Sequence, residues 1–177
     1  MPTLQVDTLT FTFTPAVAAQ LYDKWQHYTA VWNAPPGGRK AVDVVAVEGA
    51  APPTIAWLIE AKDFRIITNP PKPSNIGGLA QFMADKVTDT RSGLADAANN
   101  AANLSERSHA VNAVAAASVR IVLHLEPHVG AHTALFPKNF TASVYQSLKQ
   151  LVQAIDPNSV VLNIANTAAA GVPWTVA

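Results

Sequence analysis

Two carboxylates and one lysine stand in this sequence where charge is costly. Asp43 is enclosed by Val42, Val44 and Val45, and Glu60 and Lys62 fall within Leu58-Ile59-Glu60-Ala61-Lys62. Charges in runs this apolar must be paired or bound to a cation. The two runs, Ala41 to Val47 and Thr54 to Phe64, are rich in Val and Ile and flank Glu48-Gly49-Ala50-Ala51-Pro52-Pro53. They read as adjacent, antiparallel strands joined by a turn. Alternation along a strand puts Glu60 and Lys62 on one face, and pairing brings Asp43 alongside Glu60. Two carboxylates converging beside an ammonium suit Mg²⁺ or Mn²⁺, which take oxygen donors. Such a cation turns bound water into a nucleophile near neutral pH.

A second set is His124-Leu125-Glu126-Pro127-His128, with His132 beyond. On an extended segment His124, Glu126 and His128 share a face, and two imidazoles with a carboxylate can bind zinc, iron or nickel. Pro127 interrupts that register. Asp63 and Arg65 alternate away from the Glu60–Lys62 face and read as a structural pair. Trp25, Trp32 and Trp57 read as core or rim anchors rather than base-stacking platforms.

The elements that must position these residues follow from periodicity. Leu9, Phe11 and Phe13 alternate with threonines as in a half-buried strand. Thr14-Pro15 suits a helix start, and Val17, Leu21, Trp25, Tyr28 and Trp32 recur at helical spacing up to Asn33, before Pro35-Pro36-Gly37-Gly38. After the Pro-rich loop Asn69 to Pro73, Ser74 or Asn75 can cap a helix carrying Leu79, Met83, Val87 and Leu94. Ser74-Asn75-Ile76-Gly77-Gly78 reads as a plain cap with, as the sharper reading, an anion cradle. An Ala-rich helical stretch runs from Leu94 to Ala117, set off at Ser92-Gly93. Val119 to Leu125 reads as a strand, Thr141 to Ile155 as a helix and Ser159 to Ile164 as a strand. The whole is one α/β domain over residues 1–177, with a mixed central sheet flanked by helices.

Composition narrows the function classes. With 177 residues, 49% hydrophobic and 12 basic residues against 12 acidic, the chain has the makings of a folded core. Zero cysteines exclude disulfides, thiolate metal sites and cysteine nucleophiles. No apolar stretch reaches the roughly 18 residues of a membrane span. The start MPTLQVDTLTF has no basic segment followed by an apolar run, so a cytoplasmic protein is expected. Zero net charge argues against a strongly basic, charge-driven nucleic-acid binder, while leaving room for a local basic patch.

Asp43 in Lys40-Ala41-Val42-Asp43-Val44-Val45, followed by Trp57-Leu58-Ile59-Glu60-Ala61-Lys62-Asp63, resembles the two motif strands of the PD-(D/E)XK (restriction-endonuclease-like) nuclease superfamily. The resemblance covers the core from about Pro15 to Leu125. It implies a restriction-endonuclease-like core of α-β-β-α-β order, with an extra N-terminal strand and a C-terminal helix and strand. It further implies that Asp43 and Glu60 hold Mg²⁺ or Mn²⁺ with the carbonyl of Ala61. Lys62 would be the catalytic lysine at the scissile phosphate, as electrostatic stabiliser or as proton acceptor. Lys40, Gln81 and Lys86 are placed for phosphate or DNA contacts. The chain departs from the family in having only Asn33 to Lys40, which reads as a loop, where a further strand precedes the Asp strand. Many members add an acid from the first helix; Asp23 is the one available, and it reads as solvated.

The expected activity is therefore metal-dependent hydrolysis of nucleic acid, DNA foremost, with no membrane partner. A second reading keeps the fold as a non-catalytic DNA-binding or oligomeric scaffold, with the Ala-rich helix as a homodimer face. A third uses His124, Glu126 and His128 as a transition-metal centre.

Overall fold

A computed structural model describes residues 1–49, 52–65, 78–129 and 136–177. It is a mixed α/β protein of two sheets flanked by helices. The strands are β1 (Thr3–Val6), β2 (Leu9–Phe13), β3 (Val17–Leu21), β4 (Val44–Glu48), β5 (Ile55–Asp63), β6 (Ser118–Glu126), β7 (Val160–Leu162) and β8 (Trp174–Val176). The helices are α1 (Leu79–Asn100), α2 (Leu104–Ala115), α3 (Phe140–Val152) and the short α4 (Ile164–Thr167). No helix among the described residues is long and apolar enough to cross a membrane.

Strands β3-β4-β5-β6-β7 form a five-stranded sheet, and β1-β2-β8 a three-stranded one. In the larger sheet β3 and β5 run antiparallel to β4, while β6 runs parallel to β5 and β7 parallel to β6. The parallel β5–β6 connection passes through α1 and α2, the crossover that parallel neighbours require. The larger sheet is buried on both faces. Val44, Ala46, Ile59 and Val122 pack with Phe11, Phe13 and Trp174 of the smaller sheet. Val45, Val47, Leu58 and Leu123 pack with Met83, Val87 and Leu94 of α1. Strands enclosed this way read as continuous apolar runs, which is why β4, β5 and β6 were visible in the sequence.

The expected first helix is absent. Val17–Leu21 is a strand that pairs with β4 from Val17↔Glu48 to Leu21↔Val44. A 3₁₀ turn (Tyr22–Lys24) and a π-type turn (Tyr28–Trp32) follow it. Strand β4 explains the outcome: Val44 to Val47 are buried, so the edge of β4 away from β5 needs a hydrogen-bonding partner. Pairing overrides the helical spacing of Val17, Leu21 and Trp25. The aromatic stripe survives without a helix, since Tyr22 and Trp25 stay buried and Tyr28 packs against the same core.

Helix α1 also differs from expectation, running unbroken through Ser92-Gly93 to Asn100. The break comes at Asn103, whose side chain accepts the N–H groups of Ser105 and Glu106 to start α2. Gly93 is inside the helix for a packing reason: a Cβ there would collide with the Tyr22 hydroxyl and lie 2.8 Å from Trp32 Nε1.

Candidate metal and phosphate site

Asp43 stands one residue before β4, and the β4–β5 register ends at Val44↔Ile59. Extended one step, that register sets Asp43 opposite Glu60. Asp43 O continues the β3–β4 ladder by accepting the Tyr22 N–H at 2.9 Å, but the backbone then leaves β5, and Val42 N–H goes to Thr90 Oγ1 at 3.0 Å. The Asp43 side chain takes over the ladder, its Oδ2 accepting the Ala61 N–H at 2.8 Å. In an antiparallel pair the N–H and C=O of one residue leave the strand on the same edge. The Ala61 carbonyl therefore leaves toward Asp43 as well.

Glu60 and Lys62 alternate with Ala61, which packs between the sheets. They emerge on the other face, toward α1. Glu60 is fully buried, and its carboxylate is held by two ammonium groups. Lys62 Nζ lies 2.7 Å from Oε1, and Lys86 Nζ of α1 lies 2.6 and 2.7 Å from Oε1 and Oε2. Lys86 Nζ is also 3.7 Å from Asp43 Oδ1. One positive point is thus shared by both carboxylates. Burial and the neighbouring Asp43 charge push the Glu60 carboxyl up, against the pull of Lys62 and Lys86. Burial alone would lower Lys62, but Glu60 and Asp43 outweigh it and hold the ammonium above its ordinary value. The two carboxylates and the Ala61 carbonyl are the oxygen donors that a hard divalent cation could use here.

Asp43 opens on a cleft of about 370 Å³ that Asp23, Arg39, Lys40, Phe82 and Lys86 also line. Lys40 extends over the Phe82 ring at 4.8 Å and pairs with Asp85 at 2.5 Å. Gln81 donates to Asp85 at 2.7 Å and is not among the cleft residues. Of the expected phosphate contacts, Lys40 and Lys86 share the cleft with Asp43, and Gln81 stands on its flank behind Asp85. Asp23 is in the cleft with its carboxylate 2.8 Å from Lys24 Nζ. Its presence there follows from the 3₁₀ turn after β3, which a helical reading of Val17 to Asn33 could not place.

The histidine set does not assemble. His124 Nε2 meets Glu126 Oε1 at 2.8 Å, and the same oxygen accepts the Ile164 N–H at 2.7 Å. Burial pulls His124 down, opposed by Glu126. Strand β6 ends at Glu126, so alternation does not reach His128, whose ring stacks on Phe136 with centroids 5.1 Å apart. Among the described residues no group of three His, Cys, Asp or Glu side chains could hold a metal ion. His132 and residues 74–77 of the expected anion cradle lie outside the described residues.

Asp63 and Arg65 form the expected structural pair. Arg65 Nε and Nη2 reach Asp63 at 3.0 and 2.7 Å, and Thr8 Oγ1 of the β1–β2 turn adds a bond of 2.5 Å. Trp25 and Trp57 are buried, and Trp32 lies under the Arg39 guanidinium at 3.6 Å. Two further buried polar groups carry no sequence motif. Glu106 of α2 accepts the N–H groups of Gln26 and His27 at 2.8 and 3.0 Å, and His27 Nε2 meets Asp96 at 2.8 Å. They hold the 25–32 segment against the helices.

No family model and no solved structure matches this chain. A cysteine–tRNA ligase of Neisseria meningitidis is 26% identical over 152 residues, covering 71% of this chain. The chain spans about a fifth of that ligase's length.

Proposed function

We propose that this chain is a Mg²⁺- or Mn²⁺-dependent nuclease of the PD-(D/E)XK type, cytoplasmic and acting on DNA phosphodiesters. One observation carries the reading: Asp43, just before β4, and Glu60 of β5 face a single cationic point on one side of the sheet, with Lys62 beside it. Strand β3 adds support. It lies antiparallel to β4, although the helix that precedes such a strand in the expected α-β-β-α-β order is absent.

Asp43, Glu60 and the carbonyl of Ala61 would hold the cation. Bound there, it supplies an activated water and offsets charge on the phosphate. Lys62 would stand at the phosphate, as electrostatic stabiliser or as proton acceptor. Lys40 and Arg39 place further positive charge along the cleft by which the backbone enters. Neutral overall charge then gives modest non-specific affinity, with the grip concentrated at the cleft.

Cleavage assays on plasmid, single-stranded DNA and tRNA, each with Mg²⁺ and Mn²⁺, test the reading; the tRNA arm follows from the name of the matching ligase. Wild-type protein should cut at least one substrate, and Lys62→Ala should lose at least ~100-fold. Wild-type activity equal to that of Lys62→Ala on every substrate would refute it. A second reading, a non-catalytic homodimeric scaffold, rests on the exposed Leu104, Val111 and Val114 of α2. A monomer in sedimentation that cleaves with metal removes that reading.

A further inference from the structure

We infer that Lys86 is an exchangeable counter-ion: it keeps the two carboxylates assembled without metal and must leave them when a divalent cation binds. The inference rests on the metal-centre reading above and goes beyond it.

Glu60 is fully buried and Asp43 nearly so, with 16% of its side chain exposed. Two carboxylates this close repel each other, and burial penalises both. Lys62 reaches only Glu60 among them, at Oε1. Lys86 Nζ alone touches both oxygens of Glu60 and stands near Oδ1 of Asp43. With Lys62 and Lys86 in place the four groups sum to zero charge. The pair can therefore fold against α1 without metal.

The same geometry makes Lys86 a competitor. A hard cation would bind these oxygens at about 2.0–2.3 Å, and the ammonium already touches them at 2.6 and 2.7 Å. Two positive centres on the same oxygens repel, and Lys86, which touches both Glu60 oxygens where Lys62 touches one, meets the cation most directly. One must go, and only the ammonium is on a flexible stem. The stem has somewhere to go, because Lys86 lines the cleft beside Asp43 and passes near the Phe82 ring at 5.3 Å. Released, the ammonium lies on the phosphate path with Lys40. Metal binding thus adds a third cationic group to the side from which substrate enters.

Calorimetric titration of Mn²⁺ alone into the full chain tests this, alongside thermal melts with and without Mn²⁺. Lys86→Met removes the competitor, so Mn²⁺ should bind it roughly tenfold tighter than wild type, a coupling of ordinary size. Its metal-free melting temperature should fall and Mn²⁺ should restore it. A variant that folds only when Mn²⁺ is added supports the inference equally. Lys86→Arg keeps the charge and should bind no tighter than wild type. Mn²⁺ binding to wild type with equal or weaker binding to Lys86→Met overturns the inference while leaving the metal centre standing. No Mn²⁺ binding to either protein overturns the metal centre itself.

Discussion

The Ala61 N–H donates to Asp43 Oδ2 at 2.8 Å, so a side chain closes the β4–β5 ladder one step beyond the Val44↔Ile59 pair. Asp43 thereby does two things with two oxygens: Oδ2 holds the strand and Oδ1 faces the cation point. Asp43→Asn keeps an acceptor for Ala61 and should change stability by less than about 1 kcal/mol, whereas Asp43→Ala strands a half-buried N–H and should cost about 1–3 kcal/mol. Urea unfolding of the two variants measures the difference. Equal loss in both would show that the side-chain bond contributes nothing.

Gly93→Ala should destabilise the protein although alanine favours a helix interior by about 1 kcal/mol over glycine. The added Cβ would meet the Tyr22 hydroxyl and Trp32 Nε1. Both belong to rigid rings, and Tyr22 is fully buried, so overpacking of about 1–3 kcal/mol prevails. Gly93→Ala combined with Tyr22→Phe removes the nearest atom and should recover part of the loss. A higher melting temperature for Gly93→Ala alone would contradict this packing.

Acid should weaken the fold through His109. Its ring is buried against Trp25 and its Nε2 meets the Val45 carbonyl at 3.1 Å. Burial lowers its pKa, opposed by that bond. The unfolded chain, titrating near the ordinary value of about 6.5, then binds the proton more readily than the folded one. Stability is full above that value and falls as the pH drops through and below it. His109→Gln keeps a donor for Val45 and should show a shallower fall in melting temperature between pH 7.5 and pH 5. His124, shifted the same way, retains the remaining slope. Identical pH profiles for variant and wild type would exclude His109 as a contributor.

Asp63 is a control within the same strand. It faces away from Glu60 and ties Arg65 and Thr8 to the end of β5. Asp63→Asn should cost ~1 kcal/mol of stability and leave Mn²⁺ affinity and cleavage as in wild type. A loss of metal binding on this substitution would mean that the two faces of β5 are not separate.

The site was legible in the sequence to the extent that its strands were. Asp43, Glu60 and Lys62 lie in or beside strands buried on both faces, whose apolar runs leave little choice of structure, and alternation then set Glu60 and Lys62 on one side. Lys86 was visible only as a cation on the following helix. That it spans both carboxylates depends on the angle at which α1 crosses the sheet, which no local pattern encodes. Strand β3 is hidden in the sequence because Val17, Leu21 and Trp25 satisfy a helical spacing, while the open edge of β4 that it pairs with comes from residues further along the chain. The β1 and β8 strands, four and three residues long, are too short to show a period. The His124–Glu126–His128 reading failed where β6 stops, at the proline that had already broken its register.

The most direct test of the metal centre is a crystal soaked in Mn²⁺ and measured at a wavelength where manganese scatters anomalously. A single strong peak should lie between Asp43 and Glu60, at about 2.0–2.3 Å from Asp43 Oδ1, a Glu60 oxygen and the Ala61 carbonyl. Lys86 Nζ should be withdrawn into the cleft, and Lys62 should stand beside the ion without ligating it, since an ammonium has no lone pair to give. No peak at these oxygens, with Lys86 still bridging Glu60 and Asp43 at saturating Mn²⁺, would contradict the account.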